Sequence, residues 1–318
     1  MQIITKFSII RSLSFFILYF LSLNVAHALL APTASGYVPV NGGKIYYASY
    51  GPSTQPIVVL HGGPGLDSGY LLPQMTELAY EQQVVFYDQR GSGKSLGFKL
   101  DSKTINMSEF MEDLDKLQAK LGYKKIILLG HSWGGLLAMR YATLHPEKVS
   151  ALILVSSAPS NSVALNKFFV EYAKRTAPMK KVLDGIENSP AYKHGDPVTV
   201  EDYYRRVFSV YFFKAMDVHK LSLNFTPQSA VSGSKVAELM GQTYLLNYNL
   251  IPELKTLRVP TLIVHGVNDI VPIETARETH AAIAGSKMVE ISNCDHFPYI
   301  EQPMEFFKAV QDFVRSND

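Results

Sequence analysis

KIILLGHSWGGLLAMRYATLHP, residues 125–146, decides the fold. An apolar run at 126–129 meets Gly130-His131-Ser132-Trp133-Gly134, and apolar residues at helical spacing (Leu137, Tyr141, Leu144) follow until Pro146. The pattern reads as strand, sharp turn and helix. In a G-x-S-x-G turn the small residues let the chain reverse tightly and leave the serine hydroxyl exposed at the strand's end. The flanks make the pentapeptide specific.

Outward from this stretch, residues 56–60 (PIVVL), 84–87 (VVFY), 151–155 and 260–264 (PTLIV) are short continuous apolar runs. Strands buried on both faces have that composition. A further strand is expected at 288–291, and a hairpin at 37–51 turning at Asn41-Gly42. Helices are expected at 70–80, 107–121, 273–284 and 304–314, the second with Phe110, Leu114, Leu117 and Leu121 on one face. Alternating strands and helices predict an α/β fold with a mostly parallel sheet and helices on both faces.

Between 158 and 249 the style changes. Strand-like runs vanish, charges mix with aromatics, and Pro190, Gly195 and Pro197 punctuate a helical pattern. This segment is expected to be a helical cap inserted into a core made of 29–157 and 250–318. Residues 1–28 combine Lys6 and Arg11 with an apolar stretch from about 13 to 23 and end in Ala26-His27-Ala28. That is the form of a secretory signal cleaved after Ala28, with a membrane anchor as the alternative. The leader holds both excess charges, so the remainder balances 28 bases against 28 acids and nothing marks a nucleic-acid partner. Cys294, the one cysteine, has no partner for a disulfide within the chain.

Two glycine-rich loops follow buried strands. His61-Gly62-Gly63-Pro64-Gly65 packs three glycines into five residues, so the backbone there must bend sharply or approach something closely. Asp88-Gln89-Arg90-Gly91-Ser92-Gly93-Lys94-Ser95 invites a phosphate-loop reading and fails it, because Asp88 stands where that motif needs glycine. Asp88 and Arg90 are expected to bond to backbone and to each other.

A serine hydroxyl is a poor nucleophile until a base takes its proton and a carboxylate orients that base. Of the nine histidines, His61, His131 and His265 abut strand-end turns and are expected to be packed or bonded there. His296 alone lies in a loop after the final strand, where the chain order serine, acid, histidine needs the base. Asp269 follows the strand 260–264; Asp295 is too close to His296 in sequence to serve. The expected triad is Ser132, Asp269 and His296. The tetrahedral oxygen would meet backbone N–H groups of Gly63 and Trp133, the latter following the nucleophile.

HGGPG, DQRGSGKS, GHSWGG, GVNDIVP and DHFPYIEQP, in this order, resemble the α/β-hydrolases and specifically the proline iminopeptidase group. The resemblance runs from about Tyr46 to the C-terminus except for the insert, and HGGPG with GHSWGG is its specific part. It implies an eight-stranded core with a cap, an acyl-enzyme mechanism without cofactor or metal, and release of an N-terminal proline or other small residue from short peptides. In that family cap carboxylates bind the free amine, and Glu201 and Glu238 are the candidates here, with Glu171 and Asp202 also available in the insert. An esterase sharing the triad is the alternative, since fold and triad do not set the leaving group. Epoxide hydrolase or dehalogenase chemistry would need aspartate at position 132, and an intact triad argues against a silent binding module.

Overall fold

The computed structural model describes residues 31–317, of which the part from Pro32 onward belongs to one compact unit. The expected signal segment lies outside the described residues. Eight strands form one sheet: β1 (Ala34–Val40), β2 (Gly43–Tyr50), β3 (Ile57–Leu60), β4 (Val84–Tyr87), β5 (Ile126–His131), β6 (Val149–Val155), β7 (Thr261–Gly266) and β8 (Lys287–Ile291), in the spatial order β1-β2-β4-β3-β5-β6-β7-β8. The hairpin β1–β2 is antiparallel and β2 is antiparallel to β4; β4, β3 and β5 to β8 are parallel.

Every residue of β3, β4, β5 and β7 is buried, whereas the edge strands β1 and β8 are partly exposed. Alternation sends Val58, Leu60, Val85, Tyr87, Leu128, Leu152 and Leu154 into one core with α1 (Met107–Leu121) and α2 (Trp133–Leu144). Burial of each such side chain stabilises the fold by about 1.5–3 kcal/mol. Local signals set the helix limits. Asn106 caps α1 by accepting from Glu109 N–H, and Gly122 ends it at φ 80°. The expected helix at 70–80 is instead two 3₁₀ turns around a short α turn, Leu72–Met75. Tertiary bonds account for the difference: Asp88 Oδ1 accepts from Ser68 N–H (3.0 Å) and Oγ (2.7 Å), and the Tyr70 hydroxyl is drawn into the core.

The expected Asp88–Arg90 pair is not formed. Arg90 is fully buried and forks onto Asp113 of α1, Nε to Oδ2 at 2.7 Å and Nη2 to Oδ1 at 2.6 Å, with Glu109 at 3.0 Å. Removing either side of such a buried pair costs about 3–5 kcal/mol, because the other charge is stranded.

Between β6 and β7 the chain is helical: α3 (Ser162–Thr176), α4 (Lys180–Glu187), α5 (Pro197–Ser209) and α6 (Pro227–Met240). An isolated bridge pairs Asn161 with Asn249 where this segment leaves and rejoins the core. Helix α6 docks on the loop after β3 so closely that a Cβ on Gly65 would lie 2.7 Å from the carbonyl carbon of Gly233.

Candidate active site

The chain first builds β3 and β4 and then places β5 on the other side of β3. In open α/β sheets ligands bind beyond the carboxyl ends of the strands at such a switch point. Here the loops leaving β3 and β5 carry Gly63 and Ser132.

Ser132 has φ 55° and ψ −122°, a conformation that costs a non-glycine residue about 1–3 kcal/mol and persists only when its surroundings enforce it. The surroundings are backbone. A Cβ on Gly134 would lie 2.6 Å from the Leu60 carbonyl carbon, and one on Gly130 2.6 Å from that of Gly134. Both glycines of G-x-S-x-G are therefore required by close packing of strand, turn and helix.

The imidazole of His296 is buried, with Nδ1 2.8 Å from Asp269 Oδ1. That oxygen also accepts from Val271 N–H at 2.8 Å. Burial alone would raise the carboxyl pKa of Asp269. The nearby His296 and His265, with the hydrogen bonds from His296 and Val271, outweigh burial and hold it well below the usual carboxylate range. An ionised Asp269 keeps the proton on Nδ1 and leaves Nε2 to accept from a hydroxyl. Ser132 and His296 line one cavity. No hydrogen bond joins the Ser132 hydroxyl to the ring among the described residues, and catalytic contacts of this kind often tighten only around substrate.

Gly63 takes φ 119°, open to glycine, and lines the same cavity. Its N–H and that of Trp133 have no partner among the described residues. The N–H of Gly62, the neighbouring alternative, is already donated to the Tyr70 oxygen at 2.6 Å. The Trp133 ring is buried, bonded through Nε1 to Gln89 Oε1 (2.8 Å), so only its backbone is offered to a substrate.

The other strand-end histidines are bonded as their positions imply. His61 meets Gly62 O and Gln89 N, and His265 Nε2 lies 2.7 Å from Val271 O. His131 has a further task, since Nε2 donates to the carbonyl of His296 (2.9 Å) while Nδ1 accepts from Tyr70 (2.7 Å). Burial, with the charge of His296, lowers its pKa to about 3, so it stays neutral and holds the main chain of the other histidine. Nothing in the sequence around Tyr70 marks it for this role. Asp295 turns away from the ring: Oδ1 accepts from Ile270 N–H (2.7 Å) and Oδ2 from Arg175.

The cavity holds about 580 Å³. Its roof comes from the helical segment: Leu165, Phe168, Phe169, Tyr172, Tyr203 and Phe208, among others. Among the described residues no Asp, Glu, Lys or Arg lines it. Glu201 and Glu238 are not brought to the site; they pair with Arg205 (2.7 Å) and Lys235 (2.9 Å) on their own helices with half-exposed side chains. Glu187 comes nearer, accepting from the hydroxyl of the lining Tyr203.

A sheet of this order with a strained serine beyond β5 and a buried His–Asp pair beyond β7 and β8 defines a hydrolase class, and the family model for the alpha/beta hydrolase fold matches residues 55–303. The chain belongs to that family. Within it the chain resembles proline iminopeptidases: that of Heyndrickxia coagulans is 29% identical over 88% of this chain and 98% of its own. Among solved structures, a proline iminopeptidase-related protein from Thermus thermophilus superposes with TM-score 0.70 at 20% identity over 89% of this chain and 98% of that one. An esterase from Rhodococcus sp. ECU1013 superposes with TM-score 0.67 at 21% identity over 90% and 99%. These likenesses establish the fold and a hydrolase.

Proposed function

We propose that the protein is a serine hydrolase that cleaves amides or esters through an acyl-enzyme on Ser132. The observation that carries this is the convergence of Ser132, the His296–Asp269 pair and two N–H groups unpartnered among the described residues on one cavity. In this reading His296 Nε2 takes the hydroxyl proton as Ser132 Oγ attacks the carbonyl carbon. The oxygen that becomes negative is held by the N–H groups of Gly63 and Trp133. The imidazolium then gives its proton to the leaving amine or alcohol, and water, activated by the same ring, hydrolyses the acyl-enzyme.

Within that class we propose an aminopeptidase releasing an N-terminal proline or similar small apolar residue. The curated relatives support it, and an uncharged, aromatic cavity suits a pyrrolidine ring. A free ammonium also needs an anion, and Glu187, accepting from the lining Tyr203, is a cap carboxylate in reach of it. The second reading, an esterase for apolar acyl groups, is favoured by the absence of any charged side chain from the described lining.

Kinetics with prolyl p-nitroanilide, its N-acetyl form and p-nitrophenyl butyrate separate the two. The aminopeptidase should prefer the free amine over its N-acetyl form by roughly tenfold or more, and Glu187→Gln should erase most of that preference. Ester turnover alone, indifferent to Glu187→Gln, would establish the esterase, and no turnover of any of the three would contradict both readings. We also propose export directed by residues 1–28; a secreted product beginning at Leu29 supports it, and an intact N-terminus on cytosolic protein contradicts it.

A further inference from the structure

We infer that Arg175, on cap helix α3, is a positioning residue that sets the geometry of the His296–Asp269 pair. The inference rests on reading His296 as the base. Its guanidinium makes four kinds of contact: Nε with Glu171 Oε1 (2.9 Å), Nη1 with Val210 O (3.0 Å) and with Asp295 Oδ2, and Nη2 with Asn268 O (2.7 Å). Asn268 and Asp295 immediately precede Asp269 and His296 in the chain. Asp295 in turn accepts from Ile270 N–H at 2.7 Å, so the Arg175–Asp295 pair grips the chain on both sides of Asp269 and one side of His296.

The same corner is tied to the cap a second way. Residues 210–213 run along the histidine loop and every one of them touches it or its clamp. Arg175 holds Val210 O; His296 N–H donates to Tyr211 O at 3.1 Å; the rings of Phe212 and Phe297 stack 4.6 Å apart; Phe213 N–H donates to Glu301 Oε2 at 2.7 Å. The other oxygen of Glu301 accepts from the N–H groups of Asp295 (3.1 Å) and Phe297 (3.2 Å), which flank the histidine. Arg175 and Asp295 have side chains 23% and 4% exposed, so the pair is screened far less than a surface pair. Arg175 does not line the cavity and does not meet substrate there. It acts through the two loops, and a displacement of about 1 Å at a catalytic group can cost about 10²-fold in rate.

The test compares Arg175→Met, which keeps length and loses the donors, with Arg175→Lys, which keeps the charge and loses the fork. Arg206→Met removes an exposed partner of Asp202 on α5 and serves as control. Arg175→Met should lower kcat about 10- to 100-fold, with KM within about threefold, and should speed amide hydrogen exchange at 294–297. Arg175→Lys should recover part of the kcat loss, and Arg206→Met should match the unsubstituted protein. Should Arg175→Met fail to fold, Glu301→Gln, which weakens the second tie without changing shape, should show the same pattern at smaller size. Unchanged exchange, or a loss confined to KM, overturns the inference. Exchange is read without substrate, so an enzyme inactive on every acyl substrate would indict the proposed reaction and leave this test intact.

Discussion

Ser132→Ala is expected to reduce turnover of any cleaved substrate by about 10⁴-fold or more while the protein stays folded. Alanine removes the one atom that forms the acyl bond and keeps the Cβ that the turn already accommodates. The turn's φ of 55° is imposed by the packing of Gly130 and Gly134, not by the hydroxyl, which makes no hydrogen bond among the described residues. The unfolding midpoint should therefore stay close to that of the unsubstituted protein. Turnover within about tenfold of the unsubstituted enzyme would show that another group is the nucleophile.

Asp269→Asn is expected to lower kcat/KM by roughly 10⁴-fold. Asparagine fits the space but carries no charge; with its NH2 group at the position of Oδ1, which serves both His296 Nδ1 and Val271 N–H, the amide donates to the ring where the carboxylate accepted, and Val271 N–H loses its acceptor. The ring of His296 would then carry its proton on Nε2 and have nothing with which to accept from Ser132. The substitution also changes the acid limb of stability. The folded pKa of Asp269 lies below the unfolded value of about 3.9, so its ionised form adds stability above that pH that is lost as pH falls through the folded value. Urea midpoints should therefore fall less steeply below about pH 4 in Asp269→Asn than in the parent protein. Equal slopes, or activity within tenfold, would contradict this role.

The core is legible in the sequence because its signals are local. The apolar runs at 57–60 and 84–87 form β3 and β4, and 107–121 forms α1 because Asn106 and Gly122 cap it. The G-x-S-x-G turn is legible for the same reason, since glycine is demanded there by neighbours in the chain and by β3. Partnerships across the fold are harder. Proximity in the chain suggests Asp88 for Arg90, yet Asp113 shares the apolar face of α1 with Phe110, Leu114 and Leu117, and a buried acid on such a face requires a cation. That clue lies in the sequence and outweighs proximity.

The cap is legible as helical and opaque as a binding surface, because the phase of each helix depends on what it packs against. Glu201 and Glu238 stand four residues before Arg205 and three after Lys235, spacings that pair them on their own helices. Glu187 carries no comparable signal and reaches Tyr203 from 16 residues away, while the spacing of Arg175 points only to Glu171 on its own helix and hides its bond to Asp295, 120 residues on. Glu301 stands within DHFPYIEQP with no role that the motif itself reveals, and its carboxylate holds both N–H groups beside His296.

The most direct test of the central claim is mass spectrometry after reaction with a fluorophosphonate, which phosphonylates an activated serine. The account predicts one adduct, on the tryptic peptide 126–140 at Ser132, formed rapidly in the parent protein and absent from Ser132→Ala. No adduct in the parent protein, or an adduct at another serine together with turnover by Ser132→Ala, would contradict it.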